Sequence, residues 1–166
     1  MANDYKELFR HYVSLTKEHE LHKAIDNSTQ YAREVFSRIT ESQLSYSYQR
    51  GKWTIAQLLS HVIDVERVFA YRAMRYSRQD KTPLSSFDDD LYAKNSGFES
   101  RSLQSLLEEF YAQRVSTVML FNSFTPEMLT FSDGETGHGM TVERLGRMTA
   151  GHSMHHCNIL VERYGI

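Results

Sequence analysis

The stretch Thr141–Tyr164, TVERLGRMTAGHSMHHCNILVERY, decides how this chain folds. Each helical residue advances roughly 100°, so with His152 at zero Leu145 falls near 20°, Met148 near −40°, Ile159 near −20° and Leu160 near 80°. A single apolar stripe runs the length of the segment, and His152 sits close to its centre. Thr141 supplies an N-cap side chain, so the spacing predicts a long helix from Thr141 to about Tyr164. On that wheel His156 lies inside the stripe at about 40°, His155 at its edge at about −60°, and Cys157 turns away at about 140°. His152 and His156 are one turn apart on one face, a spacing that lets two imidazoles share an ion. Two inward histidines can equally be hydrogen-bonded core residues. H-x-x-x-H without the glutamate of the metalloprotease signature leaves both readings open.

Working outward, the strongest start signal is WTIAQLLSHV, residues 53–62. Thr54 and Gln57 form a capping box there, with Trp53 and Leu58 placed as a hydrophobic staple. Leu58, Val62, Val65, Phe69 and Ala73 carry that long helix to about residue 77. Before it, Leu21, Ile25, Ala32, Val35 and Ile39 mark a long helix over about 19–39, with a gap in the stripe at Ser28. A short N-terminal helix is expected over about 4–16, on Tyr5, Leu8, Phe9, Tyr12 and Val13. Leu103, Leu107, Phe110, Val118 and Phe121 give a third long helix, and Thr125-Pro126 opens a short turn beyond it. Between the second and third long helices, residues 78–101 hold Pro83, Gly97 and acidic residues with little periodicity, a long crossover with a helical turn at DDDLYA. SDGETGHGM, residues 132–140, is a glycine-rich loop. The chain reads as all-α, a four-helix bundle with a short N-terminal helix and one long crossover.

Composition narrows the function classes. A chain of 166 residues is expected to be one domain, residues 1–166. A net charge of −2 without basic runs predicts no nucleic-acid partner. The lack of a long apolar stretch predicts no membrane span, and with the lone Cys157 a cytoplasmic location is expected.

A third ligand to partner His152 and His156 has one good source. His61 lies in the second long helix beside Leu58 and Val65, on the flank of the apolar stripe. That wheel permits an inward imidazole without requiring one. His11, His19 and His22 stand in polar sequence and read as surface residues, and His138 in ETGHGM reads as facing water or leaning over a cavity mouth. His155 reads as a boundary residue able to hydrogen-bond from outside the ligand set, and Cys157 as a small buried hydrophobe.

These residues carry a resemblance. GKWTIAQLLSHVIDVERVFAYRAMRYSRQDKTPLSSFDDDLYA, TVERLGRMTAGHSMHHCNILVERY and, between them, FESRSLQSLLEEFYAQRVSTVMLF are similar to the DinB-like (DinB/YfiT-like) superfamily of bacterial four-helix-bundle proteins, unrelated to the polymerase of similar name. The resemblance implies a divalent metal held by three histidines, here His61, His152 and His156, with an open coordination position. It also implies a homodimer and a small-molecule substrate, a low-molecular-weight thiol in some relatives. A metal-dependent thiol S-transferase or hydrolase is the leading expectation, and a non-catalytic metal-binding bundle that acts in stress or damage response through a protein partner is the alternative.

Three neutral nitrogen ligands leave an ion's charge uncompensated, so bound water is acidified towards a pKa of ~7 and a bound thiol becomes thiolate. One ion per chain is expected, with zinc, nickel and iron all compatible with imidazole. Four further residues are candidates around the site. Asp64, one turn after His61, can orient a ligand imidazole. Arg114 interrupts the third helix's stripe, and Arg72 lies within about 20° of His61 on its wheel. Either these arginines pair with Glu66 in the interior, which buried charge favours, or they clamp an anionic substrate. Asp88, Asp89 and Asp90 read as a solvent-facing cluster.

Overall fold

The computed structural model describes residues 2–17, 19–132 and 140–166, with the backbone alone for 2–6. His138 and the greater part of the glycine-rich loop lie outside the described residues. Seven helices occur among the described residues: α1 (Ala2–Ser14), α2 (Leu21–Phe36), α3 (Ile55–Ser77), α4 (Asp89–Lys94), α5 (Leu103–Asn122), α6 (Pro126–Thr130) and α7 (Val142–Tyr164).

The caps read from sequence form. Thr54 Oγ1 accepts from the Gln57 backbone N–H at 3.2 Å while Gln57 Oε1 accepts from the Thr54 N–H at 2.9 Å. Thr125 and Thr141 each accept from the N–H three residues on, at 3.3 and 3.1 Å. The first long helix is shorter than the expected 19–39. Glu20 is its extended N-cap without a side-chain cap bond, and beyond Phe36 the backbone continues in turn-type bonds from Arg38 and Ile39.

Four long helices close into a ring in the order α2, α7, α3, α5, and α1 packs on α7. Two apolar clusters fill it. One contains the end of α2 (Val35, Phe36), the start of α3 (Ile55, Leu59), the start of α5 (Leu106, Phe110) and the end of α7 (Leu160). The other contains the opposite ends: Leu21 and Ile25, Phe69 and Ala73, Phe121, Val142 and Leu145. So α3 and α5 run parallel to each other and antiparallel to α2 and α7. Joining two parallel neighbours requires a connection the length of the bundle, which is why the crossover after α3 is long. Tyr164 Oη donates to the Trp53 carbonyl at 2.6 Å, tying the end of α7 to the start of α3.

Between the two clusters lies a polar waist. Ser28, His61, Glu66, Arg114, Thr117, His152, Ser153 and His156 are all buried there, at least one from each long helix. In a bundle this small such a layer demands partners.

Candidate metal centre

Helix α3 delivers His61 two turns after its cap, and α7, antiparallel to it, delivers His152 and His156 from two successive turns. One ligand nitrogen from each of the three rings lies within 4.8 Å of the others. His61 Nε2 and His152 Nε2 are 3.0 Å apart. Two nitrogens ligating one ion at ~2.1 Å lie roughly 3–3.4 Å apart, so these side chains need little adjustment to share one. Burial pushes the His61 imidazole down to about 4, with His155 adding to the shift. His152 and His156 lie well below their ordinary value for the same reason, reinforced by one another's rings or by His61. All three are therefore neutral at pH 7, the form that ligates metal. His156 Nδ1 is buried with no hydrogen-bond partner, a condition that buried polar groups seldom tolerate. Neutral, all-nitrogen and incompletely satisfied, the donor set fits a borderline divalent ion such as zinc, nickel or iron.

The walls around these rings come from three directions. Trp53 lies against His61 with centroids 4.5 Å apart. Tyr12 meets His152 edge-on at 5.3 Å. That contact depends on Gly151, where a Cβ would stand 2.0 Å from the Tyr12 carbonyl oxygen, so α1 crosses α7 at backbone distance. His155, half-buried, meets His11 edge-on and Tyr12 at a tilt, both from α1, rather than joining the ligand group. His19 and His22 are exposed, and Cys157 is buried in the apolar cluster, as the sequence indicated.

A cavity of about 410 Å³ adjoins His61 and His152. Phe9, Tyr12, Val65, Phe69 and Phe87 give it apolar walls, Arg72 and Asp89 line it as well, and exposed Leu8 and Ser86 mark its mouth. A second cavity of about 320 Å³, lined by Trp53, Tyr48, Arg163 and Tyr164, touches His156 from the other side.

The four further candidates separate. Arg114 and Glu66 are the buried pair: Arg114 Nε and Nη2 donate to Glu66 at 2.8–3.1 Å. Arg114 Nη1 donates to Ser28 Oγ at 2.7 Å and Thr29 Oγ1 at 3.0 Å. The gap at Ser28 in the first stripe is thus the socket for Arg114, and the pair binds α2, α3 and α5 together at the waist. Arg72 takes no part in it. Its Nη2 donates to the Ser85 carbonyl at 3.1 Å, its guanidinium lies over Phe87, and it faces the cavity. Asp64 does not orient a ligand imidazole. Three residues on from His61 it is rotated about 60° off that face, and its carboxylate pairs with Arg67 instead.

The acidic run is exposed at Asp88 and Asp90, as the sequence indicated, and departs from that reading only at half-buried Asp89. The crossover packs α4 against α3. Asp88 caps α4 by accepting from the Leu91 N–H at 2.9 Å, and Asp90 accepts from Trp53 Nε1 at 3.1 Å. Asp89 lines the cavity, and its Oδ1 is buried without a hydrogen-bond partner. Burial and the neighbouring Asp90 and Asp88 raise its carboxyl above the usual range. Sequence reasoning missed Asp89 and the placement of Tyr12. The length of the crossover, needed to join parallel helices past the site, was the available signal.

A three-histidine cluster across an antiparallel helix pair, beside a pocket at mid-bundle, defines a class of α-helical proteins with a metal site. Residues 24–160 match the DinB superfamily, and the chain belongs to it. It is 28% identical over 82 residues to a protein of Oceanobacillus iheyensis called "Putative metal-dependent hydrolase". That match covers 49% of this chain and 47% of the relative, so the chain spans about half the length of the curated relative it matches. Its fold superposes with a TM-score of 0.74 on YfiT from Bacillus subtilis, described as a probable metal-dependent hydrolase with an unusual four-helix bundle topology. That match has 16% identity and covers 87% of this chain and 84% of YfiT. The three-histidine group and these similarities fit a metal-dependent enzyme. No helix among the described residues is long and apolar enough to cross a membrane.

Proposed function

We propose that the protein is a metal-dependent enzyme that holds one divalent ion on His61, His152 and His156 and acts on a small molecule bound in the adjoining cavity. Hydrolysis or transfer of a thiol group is the reaction class. One observation carries the reading: neutral, buried imidazoles converge at the wall of a cavity large enough for a small ligand. The ion supplies a Lewis-acid centre that polarises an electrophile and lowers the pKa of a water or thiol.

The chain's own residues do the rest. Trp53 and Tyr12 pack against the His61 and His152 rings, whose Nε2 atoms stand 3.0 Å apart, close enough to share one ion. The Arg114–Glu66 pair, saturated by its own hydrogen bonds, locks the helices that carry the site and is unavailable as a clamp. The apolar walls exclude water around a bound substrate, which strengthens electrostatic interactions inside. A cavity on the ligand rings favours this reading over a non-catalytic metal-binding bundle, which needs none.

The test is a panel of small esters, amides and thiol-activated substrates assayed with metal-free protein and with protein reconstituted with zinc, nickel or iron. Turnover that follows metal loading and is lost in His152→Ala is expected. Metal binding without turnover on any member sinks the enzymatic half and leaves the binding bundle.

A further inference from the structure

Arg72 and Asp89 pose a problem that neither the metal reading nor the fold resolves. Both line the cavity beside His61 and His152, yet they form no ion pair within 4.0 Å of each other. Burial disfavours the charged form of each: the Arg72 guanidinium is lowered and the Asp89 carboxyl raised from their ordinary values. Arg72 spends one N–H on the Ser85 carbonyl, and Asp89 Oδ1 has no partner. Opposite charges that lose water normally close on each other or find other partners. Here they attract each other without direct contact, Arg72 on α3 and Asp89 on α4 of the crossover, which the Asp88 cap and the Asp90–Trp53 bond help to orient. Apolar and aromatic side chains, Phe9, Phe69 and Phe87 among them, fill out the wall.

We propose that this cavity recognises a small zwitterion with an apolar side group, its anionic group on Arg72, its ammonium on Asp89 and its apolar part against the phenylalanines. The proposal rests on the metal-dependent reading above and narrows its substrate class to amino-acid-like molecules. Arg72 offers a planar fork suited to a carboxylate. Asp89 is acceptor-only when ionised, and an ammonium supplies the donor its Oδ1 lacks. Each group of the ligand thereby makes a direct contact with a charge that the protein balances only at a distance.

The probes are three compounds of similar shape: L-phenylalanine, 3-phenylpropanoate (no ammonium) and 2-phenylethylamine (no carboxylate). Binding is read by ligand-observed NMR and calorimetry on the full chain, metal-free and zinc-loaded. L-phenylalanine is expected to bind more tightly than either analogue by about tenfold, the scale of one charge-assisted hydrogen bond. Arg72→Gln should erase its advantage over the amine and Asp89→Asn its advantage over the acid, with Arg72→Lys keeping part of the former. Equal affinity across the three probes, or a preference that survives both substitutions, overturns the proposal. If the preference appears in both metal states while no member of the reaction panel turns over, the zwitterion site stands and the enzymatic reading falls.

Discussion

Replacing Gly151 by alanine sets two effects against each other, and the structure decides the sign. Alanine is favoured over glycine inside a helix by about 1 kcal/mol. The new Cβ, however, would stand 2.0 Å from the Tyr12 carbonyl oxygen, 2.6 Å from its carbonyl carbon and 2.9 Å from its Cα. These are backbone atoms, so no rotamer change removes the clash, and α1 must move off α7 as a body by at least 1.0 Å to restore a 3.0 Å contact. The cost is capped by undocking α1. That forfeits the burial of Tyr12, worth ~1.5–3 kcal/mol, and its edge-on contact with His152, worth ~0.5–1.5 kcal/mol. After the helix-propensity gain, Gly151→Ala should destabilise the protein by ~1–3 kcal/mol. Urea unfolding followed by far-UV circular dichroism reads the loss, and hydrogen exchange localises it to α1. A Gly151→Ala protein as stable as the parent, or more stable, refutes the close crossing. Gly146→Ala is the control: its Cβ meets side-chain atoms of Phe121 and Leu21 at 2.6 and 2.8 Å, which can shift, so a smaller loss is expected.

Three further outcomes follow from the waist and its surroundings. Glu66→Gln leaves Arg114 as a buried charge without its counter-ion and should cost ~3–5 kcal/mol in urea unfolding, while the double variant Glu66→Leu/Arg114→Met recovers most of it. Cys157 is buried, and burial pushes its thiol up to about 12. It should therefore resist alkylation at pH 8 in the native protein and react once the chain is unfolded, and rapid native labelling would contradict its place in the core. Trp53, the sole tryptophan, lies 4.5 Å from His61, so titration with zinc should change its fluorescence and His61→Ala should abolish the change.

Much of this arrangement was legible in the sequence because it follows from local rules. The Thr54–Gln57 box, the Thr125 and Thr141 caps and the stripe centred on His152 depend on spacing within one helix, and the helices form where that spacing places them. His155 fell outside the ligand group for the same reason: about 60° on a wheel separates it from His152. What local rules do not carry is the relation between helices. The wheel permitted an inward His61, but its Nε2 meets His152 only because α3 runs antiparallel to α7. Ser28 looked like a flaw in an apolar stripe, and Arg114, eighty-six residues away, makes it a socket. Asp64 looked near enough to orient His61, yet Arg67 on its own helix claims it. Asp89 looked like solvated charge because nothing in its neighbourhood reveals that the crossover must travel along α3 past the site. Gly151 gave no local signal, since its role lies in the backbone of a helix that packs from outside the bundle.

The central claim is that His61, His152 and His156 together hold a divalent ion. Metal content per chain, measured on untagged protein and on single histidine variants, tests it most directly, with thermal unfolding before and after chelation alongside. The account predicts about one ion per chain, lost in His152→Ala and His156→Ala, reduced or lost in His61→Ala and retained in His155→Ala. It also predicts a lower unfolding temperature after chelation, because an ion bound only to the folded state stabilises it. Metal-free protein with unchanged stability after chelation, or metal content that survives His152→Ala, would contradict it.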